Sequence, residues 1–124
     1  MGTVTKQEAT KRKYPRGSGK ALYTWRRSVG LNRPTFARLV NFSERSLASY
    51  EKQTHLPKTV QPKLNEGVRL VEALLDLIPA NELAGWLHTP NSGFGGKKPW
   101  TLIEQGERDI IWAMIHQTRQ GAFA

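Results

Sequence analysis

The sequence predicts an all-α protein, and three observations carry this prediction. Apolar residues recur at three- and four-residue spacing in successive stretches, which is the pattern of a helix with one buried face. No stretch shows the two-residue alternation that is typical of a half-buried strand. Glycines and prolines separate the periodic stretches at positions where helices end or begin. We therefore expect short helices packed around one or two small cores.

The composition narrows the classes of protein further. The chain has 124 residues, of which 38% are hydrophobic, and this is enough for one modest core or two very small ones. It has no cysteine, which excludes disulfides, thiol nucleophiles and cysteine-based zinc sites. No apolar run approaches the roughly 18 residues of a membrane span, and the basic N-terminus lacks the apolar core of a signal peptide. These features predict a cytoplasmic location and no membrane partner.

The net charge of +9 is unevenly distributed along the chain. Residues 1–20 hold six basic residues and one acidic residue (+5), and residues 21–63 hold eight and two (+6). Residues 64–124 hold five basic and seven acidic residues (−2). A strongly basic first half favours a polyanionic partner, whereas the slightly acidic second half favours a partner of another kind. A merely solubilising basic surface is the alternative interpretation.

The chain begins with a predicted flexible arm and a first short helix. Residues 1–19 lack periodicity and contain proline and glycine, so we expect a flexible basic arm, which either follows DNA or is simply disordered. Leu22, Trp25 and Val29 then recur at helical spacing. Gly30 is expected to end this helix.

Two further helices are predicted before the middle of the chain. Asn32 is a candidate N-cap for a second helix that runs through Val40, with Pro34 tolerated in its first turn. Ser43 is a candidate N-cap for a third helix, from about residue 44 to residue 53. The outward face of the third helix carries Arg45, Ser46, Ser49 and Lys52.

The second half is predicted to hold four more helices. After a connector over residues 54–63, residues 64–78 carry an apolar stripe broad enough to be covered on two sides. A short helix follows, from Ala80 or Asn81 through Leu87, and a loop rich in glycine and proline separates it from a helix that Pro99 opens. The buried stripe of a last helix is expected to consist of Ile110, Ile111, Met114 and Ile115.

The first half resembles the Xre-type helix-turn-helix, in which a second helix enters the major groove of DNA while the preceding helix crosses the backbone. The parallels are Arg26 five residues before Leu31, Ala37 and Leu39 in the second helix, Ser43 at a helix start, Leu47, the Tyr50-Glu51 pair, and Pro57. The resemblance implies a DNA-binding domain over residues 20–63. It also implies that Arg26 and Glu51 form a structural ion pair.

The second half resembles the toxin-binding domain of the Xre/MbcA/ParS class of antitoxins. The matching features are Trp86-Leu87, Thr89-Pro90-Asn91, Phe94-Gly95-Gly96, Pro99, Gly106 and Gly121. The resemblance implies a toxin-binding domain over residues 64–124. We also expect this domain to dimerise, because the helix over residues 64–78 has more apolar surface than one small domain can cover. The resemblance further implies that the usual partner is a RES-domain toxin that consumes NAD, and that the chemistry belongs to the toxin.

Candidate DNA contacts lie on the third helix and near the helix ends. Arg45 is the candidate base reader, because its planar guanidinium reaches two acceptors on a guanine edge, although a solvated arginine is the alternative. We expect the remaining DNA contacts at Arg33, Thr35, Ser43, Ser46, Ser49, Lys52 and Lys58. The second helix departs from the family pattern, since Arg33-Pro34-Thr35 stands where a polar residue usually reaches phosphate. Whether that contact passes to Arg33 or Thr35, or is lost, is left open.

Candidate toxin contacts lie on the aromatic loop and at the C-terminal end. We expect the loop around residues 93–96 to be a tight turn that projects an aromatic side chain. The resemblance implies that the chain's end lies near the toxin's active site. The expected contacts are Phe94, Trp112, Arg119, Gln120, Gly121 and Phe123. Tryptophans that merely fill a small core are the alternative for Trp112.

Catalytic and cofactor-binding patterns are absent from the sequence. No Ser/His/Asp set or paired carboxylates stand at an informative spacing, and the three histidines lack the spacing of metal ligands. We therefore expect no enzyme activity, metal or cofactor, and an enzyme acting on nucleic acid is disfavoured. The two resemblances imply an antitoxin that neutralises a toxin by binding it directly and that represses its own operon, and we expect it to be a homodimer. The alternative is a stand-alone helix-turn-helix transcriptional regulator with a C-terminal dimerisation domain.

Overall fold

A computed structural model of the chain describes residues 17–121, and these residues form seven α-helices and no strand. This confirms the predicted all-α fold class. None of the described helices is long and apolar enough to cross a membrane. The helices are α1 (Gly19–Ser28), α2 (Arg33–Leu39), α3 (Glu44–Glu51), α4 (Gln61–Leu75), α5 (Ala80–Leu87), α6 (Pro99–Glu104) and α7 (Arg108–Arg119).

The chain divides into two compact units, Met1–Glu72 and Ala73–Ala124, and the boundary between them falls inside α4. In the first unit, α1 and α2 each pack against α3. In the second unit, α6 packs against both α5 and α7. The functional division at residues 63 and 64, into a DNA-binding and a toxin-binding part, stays a prediction.

Side-chain caps define the starts of the first three helices. The Asn32 side-chain oxygen accepts a hydrogen bond from the Thr35 amide at 2.9 Å, and the Ser43 hydroxyl accepts one from the Ser46 amide at 3.0 Å. Both caps were predicted and are confirmed. Ser18 caps α1 in the same way, so this helix starts at Gly19, the last residue of the predicted flexible arm. Each such cap contributes about 1 kcal/mol.

The core of the first unit is apolar and closely packed. Trp25 lies edge-on to Phe36, with their ring centroids 5.8 Å apart, and both side chains are buried. The backbone of α4 comes very close to the end of α2 at Gly67. A Cβ atom at this position would lie 2.5 Å from Val40 Cγ1 and 2.9 Å from the Leu39 carbonyl oxygen. Only glycine permits this approach.

The C-terminal end of α4 differs from the prediction. The helix ends at Leu75 rather than at Ile78, and the amides of Leu77 and Ile78 both donate to the Leu74 carbonyl in a closing turn. Pro79 explains the early end, because the residue before a proline disfavours the helical conformation.

The broad apolar stripe of α4 is buried within the chain. Leu70, Val71 and Leu74 are each 1% exposed. The predicted homodimer rested on the assumption that this helix has more apolar surface than one small domain can cover. That assumption is wrong for Leu74, which has almost no exposed surface left for a second copy to cover. Dimerisation itself stays a prediction.

The last helix buries a narrower stripe than predicted. Ile111 and Ile115 are completely buried, whereas Ile110 is 44% exposed and Met114 is half-buried. Consecutive residues of a helix point about 100° apart, so Ile110 and Ile111 cannot both face the same small core. The prediction that Ile110 is buried was wrong.

Two helical glycines provide a matched test of this packing. We predict that Gly67→Ala lowers the free energy of unfolding by about 1 to 3 kcal/mol, because the added methyl group collides with Val40 and Leu39. Gly85→Ala should instead stabilise the protein by about 0.5 to 1 kcal/mol, since a Cβ atom there meets nothing within 4 Å. Urea denaturation measures both changes. Equal effects of the two substitutions would contradict the close approach at Gly67.

Candidate functional site

The exposed face of α3 carries most of the predicted DNA contacts. Arg45 and Ser49 are exposed and Ser46 is half-buried, while Leu47 on the opposite face is completely buried. Lys52, which follows the last residue of the helix, is also exposed. Burial of Leu47 therefore sets which face of the helix points outward. Ser43 is exposed, but its hydroxyl is engaged with the amide and hydroxyl of Ser46. Its observed role is that of a helix cap.

A buried carboxylate lies at the C-terminal end of α3. Glu51 accepts from Arg26 Nε at 2.6 Å and from Arg26 Nη2 at 3.1 Å, and Arg26 Nη1 donates to the Leu31 carbonyl at 3.0 Å. The two side chains are only 4% and 3% exposed. This bidentate pair confirms the predicted structural ion pair between α1 and α3.

The same carboxylate also holds Arg33, at the start of α2. Arg33 Nε and Nη2 both lie 3.2 Å from Glu51 Oε1, and the side chain of Arg33 is 41% exposed. Two guanidinium groups therefore share one carboxylate, which leaves a local excess of positive charge. Arg33 remains accessible enough to meet a phosphate, although it is partly held by the protein.

Two other predicted phosphate contacts have contrasting positions. Thr35 is 7% exposed, because it follows the Asn32 cap on the inward side of α2. This burial argues against a direct phosphate contact. Lys58 is exposed at the start of a single turn of 3-10 helix, Lys58–Val60, which precedes α4. Its ammonium group is free to approach a polyanion.

The structure adds an aromatic and basic cluster on α1 that the sequence analysis missed. Arg27 Nη1 donates to the Tyr23 hydroxyl at 3.3 Å, and the Arg27 guanidinium lies 5.8 Å from the centroid of the Tyr23 ring. The guanidinium of Arg26 lies 5.2 Å from the same ring. The sequence did hold a signal for this cluster. Tyr23 stands four residues before Arg27, and this spacing places both residues on one side of a helix.

In the second unit, Asn91 organises the loop between α5 and α6. Its side-chain oxygen accepts from the Gly93 amide at 2.8 Å, and its carbonyl accepts from the amides of Phe94 and Gly96, each at 3.0 Å. Gly95 and Gly96 have φ angles of 66° and 83°, which favour glycine. The tight turn predicted for this segment is present.

The orientation predicted for Phe94 was wrong. Phe94 is 9% exposed and lies edge-on to Trp86, with ring centroids 6.2 Å apart. An aromatic side chain gains more from this packing than from contact with water, so the turn folds back onto α5. Phe94 anchors the loop instead of projecting from it, and stays a toxin contact only as an untested prediction.

The C-terminal candidates lie on and after α7. Trp112 is half-buried and stacks on His116, with ring centroids 5.9 Å apart. Arg119 pairs with Asp76 at 2.9 Å, and their side chains are 43% and 67% exposed. Gln120 and Gly121 are exposed, whereas the predicted contact Phe123 lies outside the described residues.

Side chains suited to a metal are not grouped in the described part of the chain. Within residues 17–121, no three histidine or acidic side chains stand close enough together to hold a metal ion. His88 instead contacts the ring of Trp100, at a centroid distance of 5.2 Å. The arrangement offers cations, hydroxyls and aromatic rings, which are groups that bind other macromolecules.

We predict that Glu51→Ala lowers the free energy of unfolding by about 3 to 5 kcal/mol, because it leaves Arg26 buried without its counter-charge. Glu66→Ala, which removes an exposed carboxylate from α4, is the matched control and should change stability by less than about 1 kcal/mol. Urea denaturation followed by circular dichroism measures both. A small effect of Glu51→Ala would show that the pair does not stabilise the first unit.

The sequence of the chain is similar to those of antitoxins from mycobacteria. The chain is 26% identical over 96 residues to the Mycobacterial cidal antitoxin MbcA of Mycobacterium tuberculosis and of Mycobacterium bovis. The match spans 77% of this chain and 85% of the relative. No protein-family model and no solved structure matches the chain. The similarity supports an antitoxin family for this chain.

Proposed function

We propose that the protein is the antitoxin of a toxin–antitoxin system. The observation that carries the proposal is the similarity to MbcA, an antitoxin. The match of 96 residues is longer than either compact unit, Met1–Glu72 or Ala73–Ala124, so it includes parts of both. An antitoxin of this kind needs no catalytic apparatus, because it acts by binding a cognate toxin.

The proposed partner is a RES-domain toxin that consumes NAD, in line with the resemblance of the second half of the chain. The residues proposed to meet it are Trp112, which is half-buried on α7, and the chain after Arg119. The balance of charge supports a protein partner here, since residues 64–124 carry five basic and seven acidic residues. Neutralisation would take place in the cytoplasm, where such a toxin finds NAD.

The first unit is proposed to bind operator DNA and so repress the operon. The support is threefold: the basic charge of the first half, three short capped helices, and the exposed polar face of α3. In this proposal Arg45 reads a guanine, while Lys52 and Lys58 contact phosphates. Two copies of the chain would read a palindromic or repeated site.

We predict that Arg45→Ala weakens operator binding by about 1 to 3 kcal/mol and relaxes the preference at one base position. Lys58→Ala should weaken binding to all sequences alike and flatten the dependence on salt, because an ammonium group on phosphate carries no base information. Selection from a randomised duplex library measures the preferences of both variants. If Arg45→Ala left the base preference unchanged at every position of the site, Arg45 would not be a residue that reads a base.

A truncation tests the toxin-binding surface. We predict that deletion of residues 120–124 weakens co-purification with the product of the neighbouring toxin gene, while folding and DNA binding stay at wild-type levels. The deletion leaves Arg119 paired with Asp76 and stops short of every buried residue of α7. Phe94→Ala is unsuitable as a surface probe, since loss of this buried ring would itself cost about 3 to 5 kcal/mol of stability. Wild-type co-purification by the truncated chain would rule out a toxin-contacting tail.

A further inference from the structure

An open cleft of about 410 Å³ lies between the end of α1 and the start of α2. Three arginines, Arg26, Arg27 and Arg33, line it together with Tyr23. We propose that Tyr23 and Arg27 form a binding site for a phosphate group of the DNA backbone, with Arg33 completing it. This site extends the DNA interface from α3 to α1, and it rests on the proposed DNA-binding function of the first unit.

The charges in the cleft are not balanced. Arg26 is fully engaged, because its three donor nitrogens bind Glu51 and the Leu31 carbonyl. Arg33 shares the same carboxylate and retains an exposed side chain. Within residues 17–121, the Arg27 side chain has no acidic partner, and its hydrogen bond goes to Tyr23, which is neutral. Three positive charges thus face a single negative one, and an anion is the ligand that would restore the balance.

Tyr23 makes this positive charge a fixed feature of the surface. An exposed arginine normally samples many rotamers, and holding it in one of them costs conformational entropy. Here the hydrogen bond from Arg27 Nη1 to the phenol oxygen, with the guanidinium 5.8 Å from the ring centroid, favours one orientation of the guanidinium before any ligand arrives. Tyr23 is 38% exposed, so its hydroxyl also remains accessible to a phosphate oxygen.

The position of the cleft favours DNA as the source of the phosphate. Arg33 at the cleft binds Glu51, the last residue of α3, and the next residue is the exposed Lys52. Arg33 therefore links the cleft, through the buried Glu51 carboxylate, to the C-terminal end of α3, where Lys52 is a proposed phosphate contact. Contacts to the backbone beside a recognition helix fix its register, and arginine suits them because its planar fork can bind two phosphate oxygens.

The test measures binding of a short mixed-sequence DNA duplex at several salt concentrations. Arg27→Gln removes the proposed contact, and Arg69→Gln removes an exposed arginine of α4 in the same unit as the matched control. The logarithm of the association constant decreases with the logarithm of the salt concentration, and for Arg27→Gln we expect this negative slope to become shallower by about 0.9. The affinity at 0.1 M salt should fall roughly fivefold to tenfold. Arg69→Gln should leave the slope unchanged, and thermal unfolding checks that both variants are folded.

Equal slopes for the two variants would overturn the phosphate site while leaving the proposed DNA-binding function intact. Failure of the wild-type chain to bind any duplex would instead refute that function, and this result is visible without the variants. A second titration uses inorganic phosphate and follows the Arg27 side chain by NMR. Saturable phosphate binding, together with wild-type duplex binding by Arg27→Gln, would identify a free-anion site and overturn the DNA assignment.

Discussion

The first unit depends on one buried carboxylate, that of Glu51. It joins the end of α3 to α1 through Arg26 and to the start of α2 through Arg33. A carboxylate this deeply buried is costly unless its oxygens are fully paired, so the three helices can adopt few other arrangements. The apolar core would tolerate some sliding of α3, whereas a bidentate ion pair tolerates very little. Together with the burial of Leu47, this constraint sets the direction in which α3 presents Arg45.

The arginines around this carboxylate illustrate how one residue type serves different purposes. Arg26 is buried and structural, Arg33 lies partly against Glu51 and partly in solvent, and Arg27 donates a hydrogen bond to the Tyr23 hydroxyl. All three side chains carry the same charge. Their exposure and their pairing distinguish the structural arginine from those that could bind a ligand. The same reasoning applies in the second unit, where Phe94 looked like a contact residue in the sequence but packs against Trp86.

Features that depend on neighbours in the sequence were predictable, and those that depend on tertiary contacts were not. The caps at Asn32 and Ser43 were foreseen because a cap needs only the residues of one helical turn. The exposure of Ile110 was missed, since an apolar residue fits either face until a partner helix is known. The cleft beside Arg27 was missed for the same reason, because its lining comes from two helices.

The growth of bacterial cells shows whether this chain acts as an antitoxin. The neighbouring reading frame is induced alone or together with this chain, and growth and cellular NAD are followed. If the chain is an antitoxin, the neighbour alone should arrest growth and deplete NAD, and co-expression of the chain should restore both. A harmless neighbour, or a toxic one whose effect persists when both proteins are expressed and soluble, would show that the chain is not its antitoxin.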